Sequence, residues 1–382
     1  MIEASRSASD AWRVVRACGG RVLALVAILV LAGCGDAGEP GAQAPRPQAL
    51  TVGFIYVGSI HDRGYNQAAH EGALAVRRQV PGTRVLETQH VPESRAAATA
   101  MEELIARGAT IVFATSFGHL DAALEVAARH PTVTFLHQGG QQTAANLGTY
   151  FGSIWDAEYA AGQAAGLSTR SDRLGFVAAY PISQSLLTIN AFALGARSVN
   201  PAARTRVLFT SSWCSPRKQR DSTRRLLRWG ADVVAQHQDC TATVIRTAAA
   251  GGARVVGFHH DARSVAPKAW LTGARFRWDA LFVDMVRTIR AGRFATSRYA
   301  GRLRLGLRDG AVGLSPFGDA ATPAIRRTVR QTLTSLRDGT LRPFTGPVRD
   351  QAGRVRIRGP QPSVTDLEEI DYLVEGVSGD LR

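Results

Sequence analysis

The stretch that decides the fold is Leu50-Thr51-Val52-Gly53-Phe54-Ile55-Tyr56-Val57-Gly58, and a helical pattern over residues 66–78 follows it. The apolar residues of this stretch are largely consecutive and do not alternate strictly with polar ones. Strands that are rich in Val, Ile and Phe throughout are typical of a parallel sheet that is covered on both faces. A strand, a turn and a helix in this order predict the first part of a βαβ unit.

The same order repeats along the chain in two arrays, and the second array begins after Trp155. In the first array we expect further strands at residues 84–90, 110–114, 132–137 and 147–151, with helices at 94–107 and 120–129. In the second array we expect strands at 174–179, 206–211, 232–237 and 254–259, with helices at 183–198, 216–229 and 241–250. The two βαβ arrays extend over roughly 330 residues, which is more than one hydrophobic core usually serves. The predicted fold is therefore α/β, with two doubly wound Rossmann-like lobes joined by a hinge.

Late elements complete the two lobes. They are a helix at residues 279–291, a β-rich stretch at 299–314 and a helix at 322–338. Periodicity alone does not assign them to a lobe. The boundaries that we expect are 50–154 plus about 277–296 for the N-terminal lobe, and 155–276 plus about 297–382 for the C-terminal lobe.

The N-terminal segment has the pattern of an export signal. Arg13, Arg16 and Arg21 precede an apolar run of 11 residues at 22–32, and a spanning helix needs about 20. The ending Leu31-Ala32-Gly33-Cys34 resembles a bacterial lipobox, in which the cysteine carries the lipid. We expect a signal peptide at 1–33, lipidation of Cys34 and a flexible Gly- and Pro-rich tether at 34–49. An ordinary secretory signal is the alternative.

The net charge of +15 raises the question of a nucleic-acid partner. The densest basic stretch, residues 217–228, is interpreted as a solvated helix face whose buried side is Leu226, Leu227 and Trp229. An exported protein has little nucleic acid to meet, so no such partner is expected. Attraction to anionic lipid or to an acidic permease surface stays open. The sequence shows no metal-binding spacing, and adjacent strand residues such as His259 and His260 point to opposite faces, so neither metal nor cofactor is expected.

A ligand of an open parallel sheet lies beyond the carboxyl ends of its strands. The residues at those ends are aromatic, acidic, amide or hydroxyl, which suits a flat heterocycle that is stacked and held at its edge. The candidates are Asp62, Tyr65, Asn66, Ser116, Phe117, Trp213, Asp239 and Asp261. The three carboxylates could instead cap helices, and Tyr65 and Phe117 could be core residues.

At these positions the chain resembles the basic-membrane-protein (BMP) family of lipoproteins of ABC importers, which includes purine-nucleoside receptors. The matching segments are Val52 to Gly58 with Asp62, Gly64, Tyr65 and Asn66, then 111–118, 146–151, 189–197, Ser212-Trp213, 235–239 and 372–377. The resemblance covers residues 50–381. It implies a type I periplasmic-binding-protein fold, a small-molecule ligand between the lobes, an ABC permease as partner, a monomer and a place on the outer face of a cell membrane.

The resemblance also implies roles for individual residues, and two departures from the family pattern bear on the ligand. Aromatic stacking maps onto Tyr65 or Phe117 and Trp213, and polar contacts map onto Asp62, Asn66, Ser116, Asp239 and Asp261. Phe276 stands where nucleoside receptors carry a lysine, and the acid often found at His259 is missing. Both changes remove partners of a ribose, so we expect a free purine base, adenine-like, rather than a nucleoside.

Three other functions are alternatives to a purine receptor: a hydrolase, a receptor for another planar ligand, and a repressor. An exported nucleoside-processing hydrolase would use the cleft carboxylates, but the chain has no Gly-x-Ser-x-Gly elbow, P-loop or Gly-x-Gly-x-x-Gly. A receptor for another planar ligand, such as a flavin, stays open. A repressor of the same fold would need a helix-turn-helix where this chain has its signal.

The pairing of Cys214 with Cys240 is not decided by the sequence. The two cysteines follow Trp213 and Asp239, at the ends of strands that flank the first strand of the lobe in the order 2-1-3. That separation is about twice the 4.8 Å between neighbouring strands. A disulfide therefore requires that the loops bend inward.

Overall fold

A computed structural model of the protein describes residues 50–381. The expected signal peptide, the expected lipid site Cys34 and the expected tether at 34–49 lie outside the described residues. Within residues 50–381 no helix has both the length and the apolar character needed to cross a membrane.

The first sheet is built from parallel strands with helices between them. Its first elements are β1 (Leu50–Ile55), α1 (Tyr65–Gln79), β2 (Thr83–Thr88), α2 (Ala96–Ala106), β3 (Ile111–Ala114), α3 (Leu120–Arg129), β4 (Thr134–Gln138) and β5 (Leu147–Gly152). The central strands β1 and β3 pair in parallel, and the rings of Phe54 and Phe113 stack between them at 4.5 Å. Both strands are buried along almost their whole length, as expected of a sheet covered on both faces.

The second sheet repeats this construction. Its elements are α4 (Trp155–Ser168), β6 (Arg173–Ala178), α5 (Ser183–Val199), β7 (Arg204–Phe209), α6 (Pro216–Arg228), β8 (Val233–His237), α7 (Ala242–Ala250), β9 (Arg254–His259) and β10 (Trp270–Phe276). The later elements are α8 (Asp279–Arg290), β11 (Arg302–Leu305), β12 (Val312–Leu314), α9 (Pro323–Asp338), β13 (Val348–Arg349), β14 (Val355–Ile357), α10 (Val364–Leu367) and β15 (Val377–Ser378).

The strand orders give two doubly wound lobes. The first sheet runs β2-β1-β3-β4-β5-β11, and the second runs β15-β7-β6-β8-β9-β10-β12. Each order reverses at the first strand of its lobe, β1 or β6, which is the switch point where such sheets bind ligands. The predicted α/β fold with two Rossmann-like lobes is confirmed, and strands β13 and β14 form a separate small pair.

Two features differ from the expectation. The strand β11 pairs in parallel with β5, so residues 302–305 belong to the first sheet, although the expected boundary places them in the second lobe. Helix α4 was not expected, because nearly all of its residues are buried and it lacks the polar face that marks an amphipathic helix. Its Gly162 lies so close to α5 that a Cβ there would come within 2.1 Å of the carbonyl oxygen of Phe192.

Helix α8 packs on the first lobe. The side chains of Arg287 and Arg290 donate hydrogen bonds of 2.8 Å to the carbonyl oxygens of Gln79, the last residue of α1, and of Pro81, two residues beyond it. The chain thus returns from β10 to the first lobe, and it crosses again to reach β12, which pairs antiparallel with β10. With the connection from β5 to α4, three segments cross between the lobes in residues 50–381.

Candidate functional site

A cavity lies between the lobes, at the carboxyl ends of β1, β3, β7, β8 and β9. It has a volume of about 350 Å³, including its opening to solvent. Five of the residues expected from the sequence line it: Tyr65, Ser116, Phe117, Trp213 and Asp239. The other lining residues are Val57, Phe151, Gln184, His237 and His259. The site is thus polar along one part of its wall and aromatic along the rest.

Aromatic side chains face the cavity from both lobes. Tyr65 and Phe117 come from the first lobe, and Trp213 comes from the second. The ring of Phe117 is 40% exposed at the rim, so it is not a core residue of the lobe. The indole of Trp213 stands edge-on to Tyr180 at 5.2 Å between ring centroids. A flat ring between these walls would be stacked from two sides.

Asp62 has the role of a helix cap. Its carboxylate accepts hydrogen bonds from the backbone N–H groups of Gly64 (2.8 Å), Asn66 (3.1 Å) and Gln67 (3.0 Å), at the start of α1. It also accepts a bond of 2.8 Å from the side-chain amide of Asn66. Its side chain does not line the cavity, so of the two roles weighed from the sequence the geometry favours the cap.

Asn66 joins the two lobes. Its amide nitrogen donates to Asp62 Oδ2 in the first lobe and to Asp239 Oδ2 in the second, at 2.8 and 3.2 Å. Its oxygen accepts from the backbone N–H of Gly58 at 3.1 Å. Nearby, Thr241 donates from its backbone N–H to the carbonyl oxygen of Asp62 at 3.1 Å. Asn66 therefore holds the lobes together beside the cavity rather than lining it.

Asp239 combines burial with a place on the cavity wall. Burial raises its pKa well above the usual range of a carboxyl group, and the nearby carboxylate of Asp62 raises it further. Burial also raises the pKa of Asp62, against the hydrogen bonds that lower it. A carboxyl group with a raised pKa tends to keep its proton, so Asp239 can donate a hydrogen bond as well as accept one.

Glu93 is a site residue that the sequence did not indicate. It lies beyond the end of β2, and its Oε1 accepts hydrogen bonds from the hydroxyl of Ser116 at 2.6 Å and from the backbone N–H of Gly118 at 2.9 Å. Its Oε2 accepts from the indole N–H of Trp213 at 3.1 Å, across the cleft. The acid thus ties the second lobe's aromatic wall to the first lobe. A carboxylate in an exposed loop gives no sequence signal for such a role.

Two histidines complete the wall. His237 and His259 end strands β8 and β9, and the Nδ1 atom of each is buried without a hydrogen-bond partner in the described structure. Burial lowers the pKa of His237 to about 3. Burial lowers the pKa of His259 well below its usual value, and the neighbouring His237 lowers it further. Both rings are therefore neutral near pH 7, and each offers one donor and one acceptor. Their places at the ends of buried strands were the signal that could have identified them.

The remaining two candidates lie elsewhere. Asp261 does not line the cavity, and its Oδ1 accepts from the backbone N–H of Arg263 at 3.0 Å, which is a turn-capping role. Phe276 is 5% exposed and lines an adjoining chamber, where its ring stacks on His259 and Trp278 at centroid distances of 5.4 and 4.7 Å.

The structure contains the disulfide that the sequence left open. Cys214 and Cys240 are joined, and their Cα atoms are 5.4 Å apart. Strands β7 and β8 do lie on either side of β6, so the expected separation of the strands was right. The loops bend toward each other beyond the strand ends, where the backbone N–H of Asp239 donates to the carbonyl oxygen of Trp213 at 2.9 Å. The bridge thus joins the two loops that carry these site residues.

A family model covers three quarters of the chain. The model of the PnrA-like ABC transporter substrate-binding proteins matches residues 49–335. The chain belongs to this family. The resemblance to BMP proteins is thereby confirmed. A PnrA-like substrate-binding protein acts outside the cytoplasm, takes a small-molecule ligand and works with a permease.

Individual relatives agree with the family. The chain is 29% identical over 363 residues to a purine-binding protein of Brucella abortus, which covers 94% of this chain and 99% of the relative. It is 28% identical over 334 residues to a protein of Haloferax volcanii named as a candidate ABC transporter glucose-binding protein, with 87% and 82% covered. A solved solute-binding protein of Conexibacter woesei shares the fold, with a TM-score of 0.64, 23% identity, and 77% of this chain and 98% of that chain covered.

Proposed function

We propose that this PnrA-like protein is a lipid-anchored receptor that binds a purine base, adenine-like, and delivers it to an ABC permease. The observation that carries the proposal is the placement of Trp213 opposite Tyr65 and Phe117 across a cavity with a polar edge. A flat heterocycle gains from stacking on both faces and from hydrogen bonds along one edge. The similarity to a purine-binding protein over almost the whole length of both chains supports the same ligand class.

The polar edge suits a purine base. Purine rings carry both donors and acceptors, and a protonated Asp239 together with two neutral imidazoles offers both kinds of partner. The hydroxyl of Ser116 is engaged with Glu93 but can also accept a bond. We infer that Asp239 and the histidines hold the ring edge while the aromatic side chains hold its faces.

A sugar fits the site less well. A polyol presents hydroxyl groups in all directions, and each buried hydroxyl needs a partner. Most of the cavity wall is aromatic or aliphatic, with Val57, Phe151 and the stacking residues occupying much of it. Glucose therefore serves as the contrasting ligand in the test, because a similar chain carries that name.

The binding test is isothermal titration calorimetry of the full-length protein with adenine, adenosine, riboflavin and glucose. Adenine should bind, and Trp213→Ala should weaken it about 5- to 150-fold, since stacking of a base on an aromatic side chain contributes about 1–3 kcal/mol. Trp229→Ala is the matched control, because Trp229 packs under Arg173 and Arg206 on the surface and should leave the affinity unchanged.

Several results would contradict the proposal. Binding of glucose without any purine would reassign the ligand, and release of adenine from adenosine on incubation would make the protein an enzyme. A loss of affinity in Trp229→Ala equal to that in Trp213→Ala would mean that the indole of Trp213 has no direct part in binding.

The anchor is proposed on the sequence ending Leu31-Ala32-Gly33-Cys34. Labelled palmitate should be incorporated into the protein in cells, and Cys34→Ala should abolish incorporation and release the protein from the membrane fraction. Cys18→Ala, in the same N-terminal segment, is the control and should incorporate label normally. Unlabelled wild-type protein would overturn lipidation and leave an ordinary secretory signal.

A further inference from the structure

An apolar chamber adjoins the binding cavity. Its volume is about 320 Å³ with its opening included, and it shares Phe151, Gln184, His237 and His259 with the cavity. The two spaces are therefore neighbours separated by the same four side chains. A ligand seated between Trp213 and Tyr65 has this chamber at the inner end of the site.

The walls of the chamber are almost entirely apolar. Besides the shared residues they consist of Ile154, Trp155, Leu187, Thr188, Phe258, Phe276 and Glu368. The two polar members are already engaged. Thr188 donates its hydroxyl proton to the carbonyl oxygen of Gln184 at 2.8 Å, and the Glu368 carboxylate pairs with Arg302 and Arg304. A polar substituent in the chamber would lose its hydrogen bonds to water and find few in exchange.

The aromatic wall of the chamber is closely packed. The ring of Phe276 lies 5.4 Å from that of Phe151 and 5.4 Å from that of His259, measured between centroids. At these spacings the ring of Phe276 is in van der Waals contact with the other two rings. The hydroxyl groups of a pentose would find few hydrogen-bond partners on such a wall, whereas a methyl or small alkyl group needs none.

Two ligand contacts lie at the entrance to the chamber. The rings of His237 and His259 meet nearly at right angles, with centroids 5.1 Å apart, and line both spaces. Both side chains are more than nine-tenths buried, and their Nδ1 atoms have no hydrogen-bond partner in the described structure, although that of His259 lies 3.9 Å from Asp239 Oδ1. Polar atoms on the edge of a flat ligand ring could form hydrogen bonds with these two nitrogens. A substituent on that edge would then extend between the histidines into the chamber.

We propose that the preferred ligand is a purine that carries a small apolar substituent, such as a methyl group, which occupies the chamber lined by Phe276. This inference rests on the proposed purine function and specifies the ligand within it. Its physical basis is the transfer of the substituent from water into an apolar chamber, which favours binding by about fourfold for each buried methyl group.

The test compares matched ligands on the full-length protein by titration calorimetry. The set is adenine, 9-methyladenine, N6-methyladenine and adenosine, in which 9-methyladenine and adenosine differ only in what the same ring nitrogen carries. We expect one methylated base to bind about fourfold or more tightly than adenine, and adenosine to bind more weakly than adenine.

Variants of the chamber separate its role from that of the cavity. Phe276→Lys should remove the preference for the methylated base and improve adenosine relative to adenine, because it places a cation where the ring was. Leu187→Ala should enlarge the chamber and favour the ethyl over the methyl derivative at the ring position whose methylated base binds more tightly to the wild type. Thermal melts identify any variant that fails to fold, and Leu187→Ala then tests the chamber by itself.

The outcomes are distinct. Tightest binding by unsubstituted adenine or by adenosine would overturn the chamber proposal while leaving a purine receptor. The same ligand order in Leu187→Ala as in the wild type would also overturn it. Binding of none of the four compounds would overturn the proposed function itself.

Discussion

Glu93 is expected to control affinity through its bond to the indole of Trp213. Two of its three hydrogen bonds, from Ser116 and Gly118, stay within the first lobe. Only the 3.1 Å bond to Trp213 Nε1 crosses to the second lobe. A bond within one lobe is the same whether the cleft is open or closed, so the bond to Trp213 is the one that favours the closed, ligand-holding arrangement.

The size of the effect follows from that single bond. Glu93 is an exposed residue, so water competes for the contact, and a net value of about 0.5–1.5 kcal/mol is appropriate. Glu93→Ala should therefore weaken ligand binding about 2- to 13-fold. Glu93→Gln keeps the length of the side chain and an acceptor oxygen, so we expect a smaller loss.

The assay is a double-mutant cycle measured by calorimetry. Trp213→Phe keeps an aromatic face and removes the N–H donor. If Glu93 acts through that donor, then Glu93→Ala should cost little more in the Trp213→Phe background, and the coupling energy should be about 1 kcal/mol. Fully additive effects would refute the reasoning, because Glu93 would then act only through the loop of its own lobe.

Three further predictions concern stability and the state of the site. Replacing both Cys214 and Cys240 by Ser should lower the free energy of unfolding by about 3.5 kcal/mol, from the chain entropy of a loop with a sequence separation of 26. Urea titration measures this, reductant should have the same effect on the wild type, and a wild type insensitive to reductant would contradict it. Burial lowers the pKa of His137 to about 3, against about 6.5 in the unfolded chain. Between those values the unfolded chain binds a proton that the folded protein does not, so His137 destabilises the fold as the pH falls below about 6.5, by about 2 kcal/mol at pH 5. His137→Gln should lose less stability between pH 7 and pH 5, and equal losses in both proteins would show that folding does not shift the pKa of His137. Because burial raises the pKa of Asp239, Asp239→Asn should keep ligand affinity within about fivefold while Asp239→Leu loses about tenfold or more. Equal losses in the two variants would mean that the side chain binds as a carboxylate.

Much of the fold could be predicted because its signals are local. Most of the expected strands and helices agree with the structure to within a few residues, since each strand is a short apolar run followed by a turn and a helix. Helix α4 was missed for the opposite reason, because it is buried on all sides and has no polar face. Strand β11 was expected in the wrong lobe, because its partner β5 lies about 150 residues earlier in the chain and no local pattern records that pairing.

The binding site, like the fold, was predictable from the sequence only in part. The rule that ligands lie at strand ends identified Tyr65, Ser116, Phe117, Trp213 and Asp239, all of which line the cavity. It could not separate them from Asp62, Asn66 and Asp261, which occupy equivalent positions and serve as caps or as a link between the lobes. That distinction depends on which backbone N–H groups each side chain meets.

Local sequence patterns were enough to predict that the apolar run at Leu50 begins a parallel sheet, that the pattern occurs in two arrays, and that aromatic and polar side chains follow the strands. These properties depend on the order of neighbouring residues. The three-dimensional arrangement was needed to show that Glu93 bonds to Trp213, that Cys214 meets Cys240, and that two neutral histidines lie between the binding cavity and an apolar chamber. Such contacts depend on how loops from two lobes approach each other across the cleft, because a hydrogen bond or a packed ring is sensitive to shifts of about 1 Å that no sequence pattern specifies.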